Sequence, residues 1–296
     1  SVQGGDHVSG SFVPSCGRCR NCPTGRQNLC DSSGGTFKKG MITDETSRHR
    51  LADGTDLNLF AKLGTVSEYT CVAEESVIKV EPDLPLEAVA LVTCGVATGF
   101  GSATERGDVQ PGDTVVVVGI GGIGMNAVQG AKVAGARHVI AVDPVEFKRE
   151  KAQEFGATHT YSSVDEAAEA LPDLTWGRMA DSAIITVGLT DGHMLAPALG
   201  LVGKDGTVVV TSIANMMEAD ATISLFDLGM MNKQVRGTIF GSASPRDSIP
   251  ELLSMYREGR LKLDELVTNT YTLDEVNQGY QDMRDGKNIR GVIVFD

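Results

Sequence analysis

The sequence predicts an α/β protein in which a doubly wound parallel sheet stands beside a discontinuous, mostly-β domain. Three observations carry that expectation. From Asp113 onward, short Val- and Ile-rich runs alternate with stretches of helical pattern, as strands do with crossover helices. Gly119-Ile120-Gly121-Gly122-Ile123-Gly124 closes the first such run, where a buried strand must turn sharply into a helix. Before about Leu91 the chain is Gly-rich and irregular, with only short β-like pieces.

Taken in order, Ser67 to Val72 is one such β-like piece. Thr114 to Ile120 reads as a buried strand, Gly122 to Ala134 as a helix and His138 to Asp143 as the second strand. Glu146 to Phe155 is helical, His159 to Ser163 is a third strand, and Asp165 to Leu171 is helical again. Asp181 to Val187, Gly206 to Ser212 and Gln234 to Gly241 supply the fourth, fifth and sixth strands, with a turn at Gly203 to Gly206. Beyond Gly241, Ser248 to Glu258 and Leu273 to Arg284 read as helices and Arg290 to Phe295 as a closing strand. Each crossover must pack back on the sheet, so helices cover both faces. The alternating part bounds one domain, and a cysteine-rich lobe lies at 14–32.

With 296 residues, 41% of them hydrophobic, the chain can bury a core large enough for two domains. A net charge of −13 argues against nucleic acid or an anionic membrane as partner. No apolar run is seen that would cross a bilayer, and no basic-then-apolar leader opens the chain. The chain starts at Ser1 in strand-loop sequence and is expected to be a fragment of a longer protein. Four of the six cysteines, Cys16, Cys19, Cys22 and Cys30, fall close together, unlike a dispersed disulfide framework, which points to metal binding in the reducing cytoplasm.

Cys16-x2-Cys19-x2-Cys22-x7-Cys30 can saturate a tetrahedral Zn2+ ion and leave no position for substrate, so such a site is structural. Arg18, Arg20 and Arg26 offset the charge of the thiolates. An iron–sulfur cluster is the rival, although the spacing of bacterial ferredoxins is absent. In the glycine turn, Gly119 permits the bend, Gly121 lets the backbone approach a pyrophosphate, and Gly124 allows close helix-strand packing. Asp143 ends the next strand, placed to accept the hydroxyls of an adenosine ribose and to repel a 2′-phosphate. The motif in this context predicts a Rossmann domain that binds NAD over NADP.

With both motifs in this order, the chain resembles the zinc-dependent medium-chain alcohol dehydrogenases. The likeness extends over Gly4 to Val8, Cys94 to Gly99, Gly237 to Gly241 and Asn288 to Ile293. It implies a GroES-like catalytic domain made of 1–94 and 239–296 beside a Rossmann domain at 95–238, one structural and one catalytic zinc, and alcohol–aldehyde interconversion with NAD. By the same resemblance Cys94 is the third ligand of the catalytic zinc, and Thr98 lines the nicotinamide. Lys148 lies near the adenosine ribose, and Arg290 contacts the pyrophosphate. Thr186, Val187, Ile239 and Phe240 are walls or backbone contacts of the nicotinamide pocket. Ile120, Gly122 and Ile123 complete the phosphate turn.

The family's other catalytic ligands, a Cys and the His of a Gly-His-Glu motif, precede the residues present here. His7, His49, His138, His159 and His193 offer no substitute, His49 being read as solvated. Residues 1–296 alone are therefore expected to hold one zinc, bind NAD weakly and oxidise no alcohol. Within the family the acidic balance and the tail from Gly237 look like the nicotinoprotein branch, which keeps NAD bound and uses a nitroso-dimethylaniline acceptor. The alternatives are a thiol-dependent formaldehyde dehydrogenase or, if Ser1 is the true start, a non-catalytic NAD- and zinc-binding protein. The family also implies a homo-oligomer formed through the Rossmann sheet edge, for which Val235 to Phe240 is the candidate.

Overall fold

The computed structural model describes residues 1–33, 40–217, 219 and 221–295. The chain divides into two compact units, Ser1–Ala97 with Ala243–Asp296, and Thr98–Ser242. The divisions fall a few residues beyond those expected at 94/95 and 238/239.

The second unit is built on β1 (Thr114–Val118), α1 (Gly122–Val133), β2 (His138–Val142), α2 (Glu146–Glu154) and β3 (His159–Tyr161). It continues with α3 (Val164–Thr175), β4 (Ala180–Ile185), α4 (Leu195–Leu201), β5 (Val202–Val210), α5 (Leu225–Met230) and β6 (Gln234–Gly237). Across the sheet the order is β6-β5-β4-β1-β2-β3, and every pair is parallel. The strand order reverses between β1 and β4, the switch point at whose carboxyl end doubly wound sheets bind ligands. Val116 faces Ile140 on one side and Ala183 on the other, and Ala183 faces Val208. All four are fully buried, packed with Leu171 of α3 and Leu201 of α4. Burying a large aliphatic side chain contributes about 1.5–3 kcal/mol, so this row makes the sheet the stable base of the unit.

The doubly wound sheet agrees with expectation, and the differences have local causes. Gly203 to Gly206, read as a turn, lie inside β5, where pairing with β4 shifts register between Val202 and Thr207. Asp205 there is left-handed, φ 63°, so the turn-forming residues express a bulge instead of a strand end. Helix α3 is capped by the Ser163 hydroxyl, which accepts from Glu166 N–H at 3.2 Å. It runs past its expected end at Leu171, through Pro172, and stops at left-handed Trp176.

A helical run at Leu86–Arg106 was not foreseen; it includes wide π turns at Val92–Val96 and Ser102–Arg106. Among the described residues this helix is long and apolar enough to cross a membrane by length and composition, which corrects the sequence reading. Its apolar window is 72% buried inside the protein, as in a core helix.

The strands of the first unit, among the described residues, form three two-stranded pairs. Val8–Gly10 pairs with Val77–Lys79 and His49–Arg50 with Asp56–Leu57, both antiparallel. Val267–Tyr271 runs parallel to Arg290–Ile293, the expected closing strand. Ser67 to Val72 is not a strand, and Tyr69 within it is exposed. Helices Pro245–Arg257 and Val276–Arg284 complete the unit.

Candidate metal centre and cofactor site

The cysteine lobe carries no strand between residues 14 and 32, only single turns at Cys22–Thr24 and Gln27–Leu29. Gly17 and Gly25 take left-handed backbone, φ 73° and 80°, which curls the chain back on itself. The sulfurs of Cys16, Cys19, Cys22 and Cys30 all lie within 4.8 Å of one another. Cys19 Sγ is 3.5 Å from Cys22 Sγ and 4.0 Å from Cys30 Sγ. A tetrahedral zinc with Zn–S of about 2.3 Å needs sulfurs about 3.8 Å apart, so the donor set fits such an ion. Backbone N–H groups of Cys16 and Cys19 donate to Cys30 Sγ and Cys16 Sγ. The Ser32 hydroxyl and the Arg18 N–H hold the Cys16 thiol down to about 6, while burial pushes Cys22 up to about 12. Metal coordination deprotonates a thiol whatever its free value. Arg20, expected to offset the thiolates, pairs instead with Asp31 at 3.3 Å.

At the glycine turn, Gly119 is left-handed, φ 92°, and Gly121 is the extended residue from which α1 starts. A Cβ on Gly124 would lie 1.9 Å from the Gly119 carbonyl oxygen, so only glycine fits. A Cβ on Gly121 would meet nothing within 4 Å, which leaves the backbone open for a ligand to approach. The first turn of α1, with Gly122 and Ile123, presents unpaired N–H groups beside this opening. Asp143 is buried just past β2; its Oδ2 accepts from Ile120 N–H at 2.7 Å and its Oδ1 from Val145 N–H at 2.9 Å. The acidic strand end is thus tied to the glycine turn, with lone pairs left over. Lys148 stands half-buried in the first turns of α2.

Thr186, one residue past β4, donates from Oγ1 to the Gly119 carbonyl at 2.6 Å. Val187 packs so closely on Gly119 that a Cβ there would lie 2.8 Å from it. These two brace the turn from the neighbouring strand. Thr98 is buried, and its Oγ1 has no hydrogen-bond partner, as fits a hydroxyl that meets a ligand. Ile239 is half-buried; Phe240 is fully buried with left-handed φ 55°, so it cannot belong to an exposed sheet edge.

In the first unit Cys94 and Arg290 line one cavity of about 680 Å3, together with Thr65, Leu91 and Val292. The Arg290 guanidinium occupies the space a Gly95 side chain would need, 1.5 Å from its ideal Cβ, beside Cys94. Cys94 opens into the cavity, yet the packed walls raise its thiol above the ordinary value while Arg290 pulls it down. Among the described residues no carboxylate pairs with Arg290, which argues against a surface ion pair.

Sequence reasoning missed three supporting residues. Arg149 Nη1 donates to the carbonyls of Asp143 and Pro144 at 2.8 and 2.9 Å, bracing the loop behind Asp143. Ser32 supports the cysteine lobe. His49, read as solvated, accepts the Cys71 N–H on Nε2 at 3.0 Å. Arg149 and Ser32 carry no motif, because their targets are a backbone carbonyl and a sulfur brought near only by folding.

The geometry agrees with the similarity to known proteins. Residues 1–82 match the model of the alcohol dehydrogenase GroES-like domain, and residues 122–258 that of the zinc-binding dehydrogenases. An NDMA-dependent alcohol dehydrogenase of Amycolatopsis methanolica is 54% identical over 294 residues, 99% of this chain and 78% of the relative. A putative alcohol dehydrogenase D of Mycobacterium tuberculosis is 50% identical over 293 residues, 99% of this chain and 79% of the relative. The crystal structure of an alcohol dehydrogenase zinc-binding domain protein from Burkholderia ambifaria superposes with a TM-score of 0.90 at 29% identity, covering 100% of this chain and 79% of that one. Four clustered cysteine sulfurs, a glycine turn fastened to an acidic strand end, and this likeness along nearly the whole chain agree with one another: the chain belongs to the zinc-dependent medium-chain alcohol dehydrogenase family.

Proposed function

We propose that the protein carrying this chain interconverts alcohols and aldehydes with NAD, as a nicotinoprotein-type alcohol dehydrogenase. The observation that carries the reading is the bond from Ile120 N–H to Asp143, which makes the glycine turn and the acidic strand end one unit. When bound, NAD supplies the hydride acceptor and the catalytic zinc a Lewis acid for the alcohol oxygen. Gly119, Gly121 and the start of α1 bind the phosphates; Gly124 and Ile123 keep that helix close to β1. Asp143 accepts the ribose hydroxyls and repels a 2′-phosphate, with Lys148 nearby. Thr98, Thr186, Val187, Ile239 and Phe240 wall the nicotinamide and exclude water from it. In the first unit Cys94 is assigned as a ligand of the catalytic zinc and Arg290 as the cation for the pyrophosphate. Cys16, Cys19, Cys22 and Cys30 hold a second, structural zinc. The domains are assigned as 1–94 with 239–296 and 95–238.

Clustered free thiols suit a reducing compartment, which supports the cytoplasm. Exposed Leu225, Phe226, Met230 and Val235 support a homo-oligomer formed through the second unit. Similarity to an NDMA-dependent relative favours the nicotinoprotein branch over the formaldehyde dehydrogenases. Cys94→Ala tests the assignment: alcohol oxidation should be lost while lobe zinc and NAD binding persist. Normal turnover and normal zinc content in that variant would remove Cys94 from the site.

A further inference from the structure

The second unit contains a linked set of buried hydroxyls to which neither motif draws attention. Ser102 is fully buried, and its hydroxyl lies 2.6 Å from the Thr98 carbonyl oxygen, to which it donates. The same oxygen is 2.9 Å from Thr211 Oγ1. Because the one hydrogen of Ser102 is committed to the carbonyl, Thr211 must donate the second bond, which leaves its own lone pairs free. Thr211 follows directly on β5, with its N–H bonded to the Ile185 carbonyl at 3.0 Å. The pair therefore fastens the helix that bears Thr98 to the carboxyl ends of β4 and β5. Thr98 Oγ1 is left buried and without a partner.

A serine that back-bonds to the carbonyl four residues earlier is common in helices and alone means little. Two facts set this one apart: the bond to a different element, and the unspent hydroxyl on the residue it restrains. We propose that Ser102 and Thr211 are positioning residues for the nicotinamide end of the cofactor. They hold the backbone of Thr98 in place, so that its unpartnered O–H is the group left to meet the nicotinamide end. The inference rests on the NAD reading above.

Calorimetric titration of the full chain with NAD and with ADP-ribose, which lacks nicotinamide, tests it. Ser102→Ala and Thr211→Val should each weaken NAD about three- to tenfold, the effect of one buried hydrogen bond, and leave ADP-ribose nearly unchanged. Thr211→Ser, which keeps the hydroxyl, should restore NAD affinity, and the emission of bound NADH should change in Ser102→Ala and Thr211→Val but not in Thr211→Ser. Melting temperatures establish that each variant is folded. Equal losses for both ligands, or no loss for NAD, would overturn the positioning role and leave the NAD reading standing. A wild-type chain that binds neither ligand would overturn the NAD reading, and this proposal with it.

Discussion

Gly121 and Gly124 stand three residues apart, yet one added methyl group meets opposite surroundings at the two positions. At Gly121 it points into open space on an ordinary extended backbone; at Gly124 it strikes the Gly119 carbonyl at 1.9 Å. Gly121→Ala should therefore melt like the wild type but lose NAD affinity at least about tenfold, because the methyl occupies the path of the pyrophosphate. Gly124→Ala should lose about 1–3 kcal/mol of stability, the usual penalty of overpacking, measurable by urea denaturation. The reverse pattern would mean that the turn does not cradle phosphate. The glycines, Asp143 and the four lobe cysteines were legible because their chemistry fixes their spacing. Arg149 and the pair of Ser102 and Thr211 were not, since only the folded chain brings their partners near.

Among the elements, the cysteine lobe has the least regular backbone, two single turns and four clustered sulfurs. With no strand it has little regular structure of its own, so the proposed zinc would be what holds its shape. Chelation should release zinc, free four thiols to a colorimetric reagent and make residues 14–32 the first protease target, with the parallel sheet intact. Release of iron and sulfide would contradict the zinc assignment.

At the opposite end of the sheet from the glycine turn, His138 of β2 and His159 of β3 meet edge to face, ring centres 5.4 Å apart. Burial lowers the His138 pKa, with His159 and Arg137 adding to the effect, and its Nε2 is buried without a partner. The unfolded chain thus binds the proton more readily than the native state, so stability is full above the ordinary histidine value of about 6.5 and falls as pH drops below it. Urea midpoints should decline as pH falls below about 6.5, and His138→Gln should flatten that decline; an unchanged slope would exclude His138 as its source.

The alternation of strands and helices in the second unit was readable from pattern alone, whereas the Leu86–Arg106 helix was not. Gly95, Gly99 and Gly101 lower its local propensity. They are there because Arg290, the Ile123 carbonyl and the Gly241 carbonyl approach too closely for a Cβ. Packing overrode propensity, as it did at Gly203 to Gly206.

For the whole molecule, the family likeness was legible from two motifs in order, and the edge of the sheet only in part. Val235 on β6 is exposed as an edge residue should be, whereas Phe240 is buried. Leu225 and Phe226 on α5 instead supply the larger exposed apolar area, 77% and 62% exposed. Phe226→Glu should shift the protein toward monomer in light scattering without changing its zinc content. Hydride transfer is the most direct test of the proposed activity. In the protein that carries this chain, given a primary alcohol deuterated at its carbinol carbon, deuterium should appear on the nicotinamide ring, and Cys94→Ala should abolish the transfer. An unlabelled nicotinamide, in protein shown to hold both zinc and NAD, would contradict the assignment.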